Sequence, residues 1–240
     1  MNLERIIPLA IGTVLMIIVM VICRRWIKIP IWKIPIINIV LTVSGTFGAY
    51  LLYYIENGRW SGISFYGSIL LIPACFIFVS LLIRMKYGEL MDACAPAVCA
   101  MLALNKVKCL TTGCCKGMVL HVGADGVEKR FPSQLVEMIV AIVLMLILIV
   151  FIAKGAFRDL VYPVFLILYG VTRFGLNLLR ETTPFVWKLP AGNFWSIVAV
   201  LIAIAWIVFY RLINKGNNTD PVAESSVEDS VSENTDTKEE

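Results

Sequence analysis

An all-α, polytopic membrane bundle of seven spans, with its N-terminus outside and its C-terminus in the cytoplasm, is the fold this sequence predicts. Composition comes first: 59% of the 240 residues are hydrophobic and 16% charged, with a mean hydropathy of +0.84. Soluble domains average about 45–50% apolar and about 25% charged. The second observation is a series of apolar stretches close to the roughly 20 helical residues that cross a hydrocarbon core about 30 Å thick. The third is the recurrence of Lys and Arg after alternate stretches, which sets orientation.

Taken in order, the candidate spans are residues 6–23, 35–55, 66–84, 91–105, 134–153, 160–179 and 191–213. The first runs directly into Arg24 and Arg25 and lacks a small-residue cleavage site, so it reads as an uncleaved span rather than a signal peptide. The fourth is the weakest. It begins at Asp92, contains Pro96, and is expected to be short or broken. Residues 1–215 then form one membrane domain. Residues 216–240 are polar, acidic and nearly free of aromatics, the composition of a disordered cytoplasmic tail.

The net charge of +4 hides an asymmetry. The tail holds eight of the 17 acidic side chains and one of the 21 basic ones, leaving nine acidic and 20 basic residues in the membrane domain. A cationic membrane body suits anionic lipid or anionic substrates, although topogenic loop charge accounts for part of the excess. Arg24, Arg25, Lys28 and Lys33, then Arg84 and Lys86, then Lys154 and Arg158, then Arg211 and Lys215 all fall on one side, the cytoplasmic one. The exception is the loop 106–133, placed outside with Lys106, Lys108, Lys116, Lys129 and Arg130. A basic outer loop opposes the rule, which points to function rather than topology for those charges.

In the sixth span, YGVTRFGLNLLRET places Arg173, Asn177 and Arg180 at i, i+4 and i+7, on one helical face. An arginine well inside a span costs about 2.5–3.5 kcal/mol on insertion scales. Arg173 therefore demands a partner, whereas Arg180 fits a hydrated arginine at a helix end. RFPSQLVE opens the fifth span. Pro132 suits a first turn, Ser133 and Gln134 are residues that satisfy exposed amides, and Glu137 lies one turn in, where pairing with Arg130 is expected. A well-capped helix start explains these residues as readily as catalysis does.

KVKCLTTGCCKG brings Cys109, Cys114 and Cys115 near the only histidine, His121. Its spacing is not the usual zinc pair, and adjacent cysteines rarely both bind one ion, so no metal is expected. Close packing around Gly113 and Gly117 is the simpler account. Cys23, Cys75, Cys94 and Cys99 fall in apolar segments, as small hydrophobes do. Tyr66, in SFYGSIL at the start of the third span, reads first as an interfacial belt aromatic and second as a phenol aimed into a cavity.

Together, GTFGAYLLYY, SFYGSIL, DACAP, KVKCLTTGCCKG, RFPSQLVE and YGVTRFGLNLLRE, in this order over about residues 40 to 185, resemble the prolipoprotein diacylglyceryl transferase family. RFPSQLVE followed by YGVTRF is the specific part. Arg130, Pro132, Ser133, Gln134, Glu137, Arg173, Asp92, Gly113 and Gly117 match the family's pattern. Other family positions are substituted. Thr46 stands where the family has an arginine, Tyr66 for its histidine, and Lys106 for the arginine of its signature loop. Cys114 stands for a carboxylate or second polar group, Asn177 for the group after the sixth-span arginine, and PLAIG replaces its first-span Tyr-Gly pair.

The resemblance implies a seven-helix enzyme of the bacterial inner membrane, active at its outer face. Such an enzyme moves diacylglyceryl from phosphatidylglycerol to the lipobox cysteine of a prolipoprotein signal peptide. The site it implies has Tyr66, Lys106 and Arg173 as catalytic groups. Lys108, Arg130, Gln134, Glu137, Asn177 and Arg180 bind lipid or phosphate, and Asp92, Pro96, Gly113 and Gly117 shape the loops. Partners are the bilayer, phosphatidylglycerol or another anionic phospholipid, and the prolipoprotein. No cofactor and no nucleic acid enter this reading. Two alternatives stay open: a relative that binds lipid or lipoprotein without transfer, and a small transporter, which the lack of a visible internal repeat disfavours.

Overall fold

Tyr87–Thr112 is one unbroken helix of 26 residues, α4, against the expectation of a short or broken span. The computed structural model describes residues 3–60, 62–113, 117–122, 128–180, 185–186 and 189–217. Among these, the other helices are α1 (Leu3–Cys23), α2 (Lys33–Asn57), α3 (Phe65–Ile83), α5 (Ser133–Ala153), α6 (Val161–Leu178) and α7 (Ala191–Asn217). Six of the helices, α2 to α7, are long and apolar enough to cross a membrane. Two short antiparallel hairpins, not anticipated from sequence, complete the description: β1 (Val119–Val122) with β2 (Glu128–Arg130), and β3 (Phe185–Val186) with β4 (Leu189–Pro190). Met1–Ala203 forms one compact unit and Ile204–Glu240 another. The expected tail beyond residue 217 lies outside the described residues.

α4 packs against α1, α3, α5 and α6. Its weak hydropathy has a physical reason. Within the bundle, 56% of its spanning window is buried, against 28% for the much more apolar α5. A helix that faces lipid must be greasy, whereas one that faces other helices needs small side chains for close approach. Ala93, Cys94, Ala95, Ala97 and Cys99 are fully buried on α4. On outward faces, Phe78 is 75% and Leu82 82% exposed, apolar surface that suits lipid and not water. This is a multi-pass membrane protein.

Asp92 and Pro96 therefore belong to the central helix and not to a loop. Asp92 is buried, and its carboxylate accepts the backbone N–H of Asp159 at 2.7 Å and of Val161 at 2.9 Å. The first amides of a helix have no partner within it. Asp92 supplies one from across the bundle and so fixes where α6 begins. Beside it, Arg158 pairs with Glu89 at 3.0 Å.

Two further contacts set the bundle that carries the site. Pro73 in α3 cannot donate to the carbonyl of Ile69. The buried Tyr162 hydroxyl of α6 donates to that oxygen instead, at 2.8 Å. α2 and α3 cross at Gly48 and Gly67, where an added Cβ on either glycine would run into the other's carbonyl oxygen. Beside that crossing, Ser68 Oγ donates to Gly45 O at 2.6 Å.

Candidate functional site

Helices that alternate in direction bring certain ends together. Lys106 lies six residues before the end of α4, Arg173 five before the end of α6, and Glu137 four after the start of α5. At 1.5 Å per residue, each sits about 6–9 Å in from a helix end. The three side chains meet. Lys106 Nζ and Arg173 Nη1 both pair with Oε2 of Glu137, and Arg180 Nη1 lies 3.6 Å from its Oε1. Side-chain exposure is 5% for Glu137, 11% for Lys106, 15% for Arg173 and 11% for Arg180. Among the described residues, three cations thus surround one carboxylate, a surplus of two positive charges away from bulk water.

Such a cluster is costly unless its charges are paired and hydrogen-bonded. Here the pairing is incomplete. Glu137 Oε1 and Arg180 Nε are buried without a hydrogen-bond partner. An adjoining cavity of about 10 Å³ is lined by Glu137, Ala141, Tyr169, Thr172, Arg173 and Leu176, among others. That is room for about one water.

A second polar chain runs along the start of α7. Tyr66 is 4% exposed, and its hydroxyl lies 2.5 Å from Ser196 Oγ. Ser196 donates its own proton to Gly192 O at 2.7 Å. The shared hydrogen between Tyr66 and Ser196 therefore comes from Tyr66. The tyrosine ring packs against Tyr169, with centroids 5.7 Å apart. The interfacial-belt reading of Tyr66 is overturned, because α7 and Tyr169 cover it. Asn177, also buried, donates to Asn193 Oδ1 at 2.8 Å and so ties α6 to α7.

Other expectations need correction. Lys106 and Lys108 are on α4 rather than in a loop, because that helix continues to Thr112. Arg130 pairs with Glu128 on its own hairpin, at 2.6 Å, while Glu137 pairs with the three cations above. Arg180 is not on the α6 face that carries Arg173. The helix ends at Leu178, and Arg180 forms an isolated β-bridge with Gly117. That turn swings Arg180 back onto Glu137, so it is half-buried beside the carboxylate rather than hydrated at a helix end. Gly113 has open space around it and a φ of +68°, which makes it a left-handed helix cap and not a packing site.

Gly117 does pack closely, since a Cβ there would strike the carbonyl of Phe131. Met118 N donates to Leu179 O at 3.1 Å and Phe131 N to Met118 O at 3.0 Å, which laces this strand between the end of α6 and the start of α5. Pro132 stands at the N-cap of α5 without a side-chain cap bond, Ser133 is buried as the first helical residue, and Gln134 is half-buried. His121 is exposed on β1, opposite Lys129. Cys109 is half-buried on α4. Cys114, Cys115 and Lys116 lie outside the described residues.

Sequence reasoning missed Asn193 and Ser196. The available signal was two polar residues at i, i+3 in the first two turns of an apolar helix.

The fold and the cluster define a class: a multi-pass helical membrane protein with a cationic cluster built between its helix ends. A family profile described as "Prolipoprotein diacylglyceryl transferase" matches residues 7–209, and the chain belongs to that family. Among curated proteins it is similar to the phosphatidylglycerol–prolipoprotein diacylglyceryl transferase of Teredinibacter turnerae, at 31% identity over 68% of this chain and 62% of that protein. The proteins of that name from Cupriavidus pinatubonensis (30%) and Cupriavidus necator (28%) are similar over 73% and 72% of this chain, respectively 69% and 70% of their own lengths.

Proposed function

We propose that the protein transfers diacylglyceryl from phosphatidylglycerol to the lipobox cysteine thiol of a prolipoprotein, at the outward face of a bacterial inner membrane. In this reading all seven helices span, the N-terminus is outside, and residues 216–240 are a cytoplasmic tail. The observation that carries it is the cluster of Lys106, Arg173 and Arg180 around Glu137, with its surplus positive charge. Family membership supplies the reaction class.

The chemistry asks for such a field. The thiol loses its proton, its sulfur forms a bond to a glycerol carbon, and the carbon–oxygen bond to the phosphate breaks. Glycerol phosphate leaves with the electron pair and takes up the proton that the thiol gave up. Fixed cations in a dry site stabilise that developing charge. The same field favours the thiolate of a cysteine whose ordinary pKa is about 8.5. Arg173 offers a planar fork for two phosphate oxygens, and Lys106 offers a point charge. Tyr66 has its proton committed to Ser196 and presents an acceptor oxygen, which does not suit an anionic phosphate and does suit a thiol donor.

The test is mass spectrometry of a lipobox peptide incubated with the purified protein and phosphatidylglycerol. A peptide that gains one diacylglyceryl group, with glycerol phosphate released, is the expected result. Phosphatidylglycerol binding without any adduct would replace this reading with that of a lipid binder.

A further inference from the structure

We propose that Glu137 is an internal competitor for the substrate phosphate, its carboxylate holding the place between Lys106 and Arg173 that a lipid phosphodiester takes. This rests on the transferase reading and adds a displacement step to it.

Three observations point there. Lys106 and Arg173 converge on the same carboxylate oxygen, so the point of highest positive field is filled by Oε2 of Glu137. Among the described residues, the cavity beside Glu137 and Arg173, about 10 Å³, has room for one water and not for a phosphate group. A phosphate held at that point by both cations takes the place of the carboxylate. Finally, the carboxylate is a poor fit to what it holds. Oε1 and Arg180 Nε have no hydrogen-bond partner, and Arg180 Nη1 stays at 3.6 Å. A planar guanidinium is satisfied by two oxygens in parallel, which a phosphate supplies from more directions than a carboxylate pinned to a helix.

The arrangement has a use. Three bare cations among buried helices would repel one another. A built-in anion keeps the site folded, and its imperfect bonding lets a better anion replace it. The displaced carboxylate moves within the first two turns of α5. Binding is weakened by the fraction of time the carboxylate holds the cations. A clamp closed about nine-tenths of the time costs about tenfold in apparent affinity.

The test follows the thermal stability of the full chain in detergent while phosphatidylglycerol or phosphatidylcholine is titrated in. A third arm uses inorganic phosphate at matched ionic strength. Wild type is compared with Glu137→Gln, and Lys106→Gln with the double variant Lys106→Gln/Glu137→Gln. The second pair keeps the charges closer to balance if the single glutamine variant does not fold.

Each protein carrying Glu137→Gln should start less stable than its own parent, wild type or Lys106→Gln, and reach its phosphatidylglycerol midpoint at about tenfold lower lipid. An unchanged or higher midpoint, with the wild-type preference for phosphatidylglycerol intact, overturns the competitor role and leaves the transferase reading standing. Tightening toward inorganic phosphate alone also overturns it, since the site would then take a free anion. If no protein distinguishes the two lipids, the transferase reading falls and this proposal falls with it.

Discussion

Lys106 and Arg173 come from different helices and pair with one and the same oxygen of Glu137. Their separation in sequence is 67 residues, so only the alternation of helix direction brings them together. The depth of the meeting point matters for what it can do. Away from bulk water, each charge acts through a lower dielectric and reaches further than on a surface.

Asp92 tests the scaffold without touching this cluster. Its carboxylate accepts two backbone amides at the start of α6. Replacing it with alanine leaves both without that partner, and hydrogen bonds to charged groups are worth about 1.5–3 kcal/mol. Asp92→Ala should lower thermal stability in detergent clearly, while lipid titration midpoints of the folded fraction stay near wild type. A shifted midpoint with unchanged stability would instead put Asp92 in the binding site.

Tyr66 and Ser196 make a second test. Tyr66→Phe removes the proton that Ser196 accepts, a neutral hydrogen bond worth about 0.5–1.5 kcal/mol. Stability should fall by that order, and the loss of transfer should be smaller than for Arg173→Ala. In kinetics, the effect should fall on the peptide rather than on phosphatidylglycerol, because the tyrosine oxygen is an acceptor. A selective loss of phosphatidylglycerol binding would reverse the assignment of Tyr66 to the thiol side.

Topology has its own measurement. Single thiols at Val127 and at Ser226, in an otherwise cysteine-free chain, report sidedness in intact cells. The loop position should react with an impermeant reagent and the tail position should not. Reaction at Ser226 alone would invert the orientation and place the site on the cytoplasmic face.

Much of this is legible in the sequence. The helices followed from composition and span length, and Arg173 stood out because an arginine inside a span needs an anion. Glu137 was singled out with the wrong partner. Sequence proximity suggested Arg130, but residues seven apart across a helix start face different neighbours, and Arg130 turned to Glu128. α4 was ranked last because hydropathy measures contact with lipid, and this helix contacts protein. The role of Arg180 depended on where α6 stops, and helix ends are the least certain part of any pattern reading. Nothing in periodicity could place Ser196 under Tyr66.

Arg173 carries the sharpest expectation, and the structure changes its comparison with Arg180. The two side chains are similarly little exposed, at 15% and 11%, and both face Glu137. They differ in support. Arg173 projects from the body of α6, while Arg180 sits beyond its end on the bridge to Gly117. Arg173 pairs with Glu137 directly, and Arg180 Nη1 stays at 3.6 Å. A group that stabilises charge mainly in the transition state is worth about 2.7–4 kcal/mol, or about a hundredfold to a thousandfold in rate. Arg173→Ala should lose that much transfer. Arg173→Lys should not restore it, because lysine lacks the fork that meets two phosphate oxygens. Arg180→Lys should retain more activity than Arg173→Lys, since its longer-range attraction to Glu137 needs charge and not a fork. Diacylglyceryl transfer would be measured for all three at matched membrane levels, with phosphatidylglycerol binding as the second readout. If Arg173→Ala matches wild type in both, the arginine is a structural anchor and its cluster is not the site of chemistry.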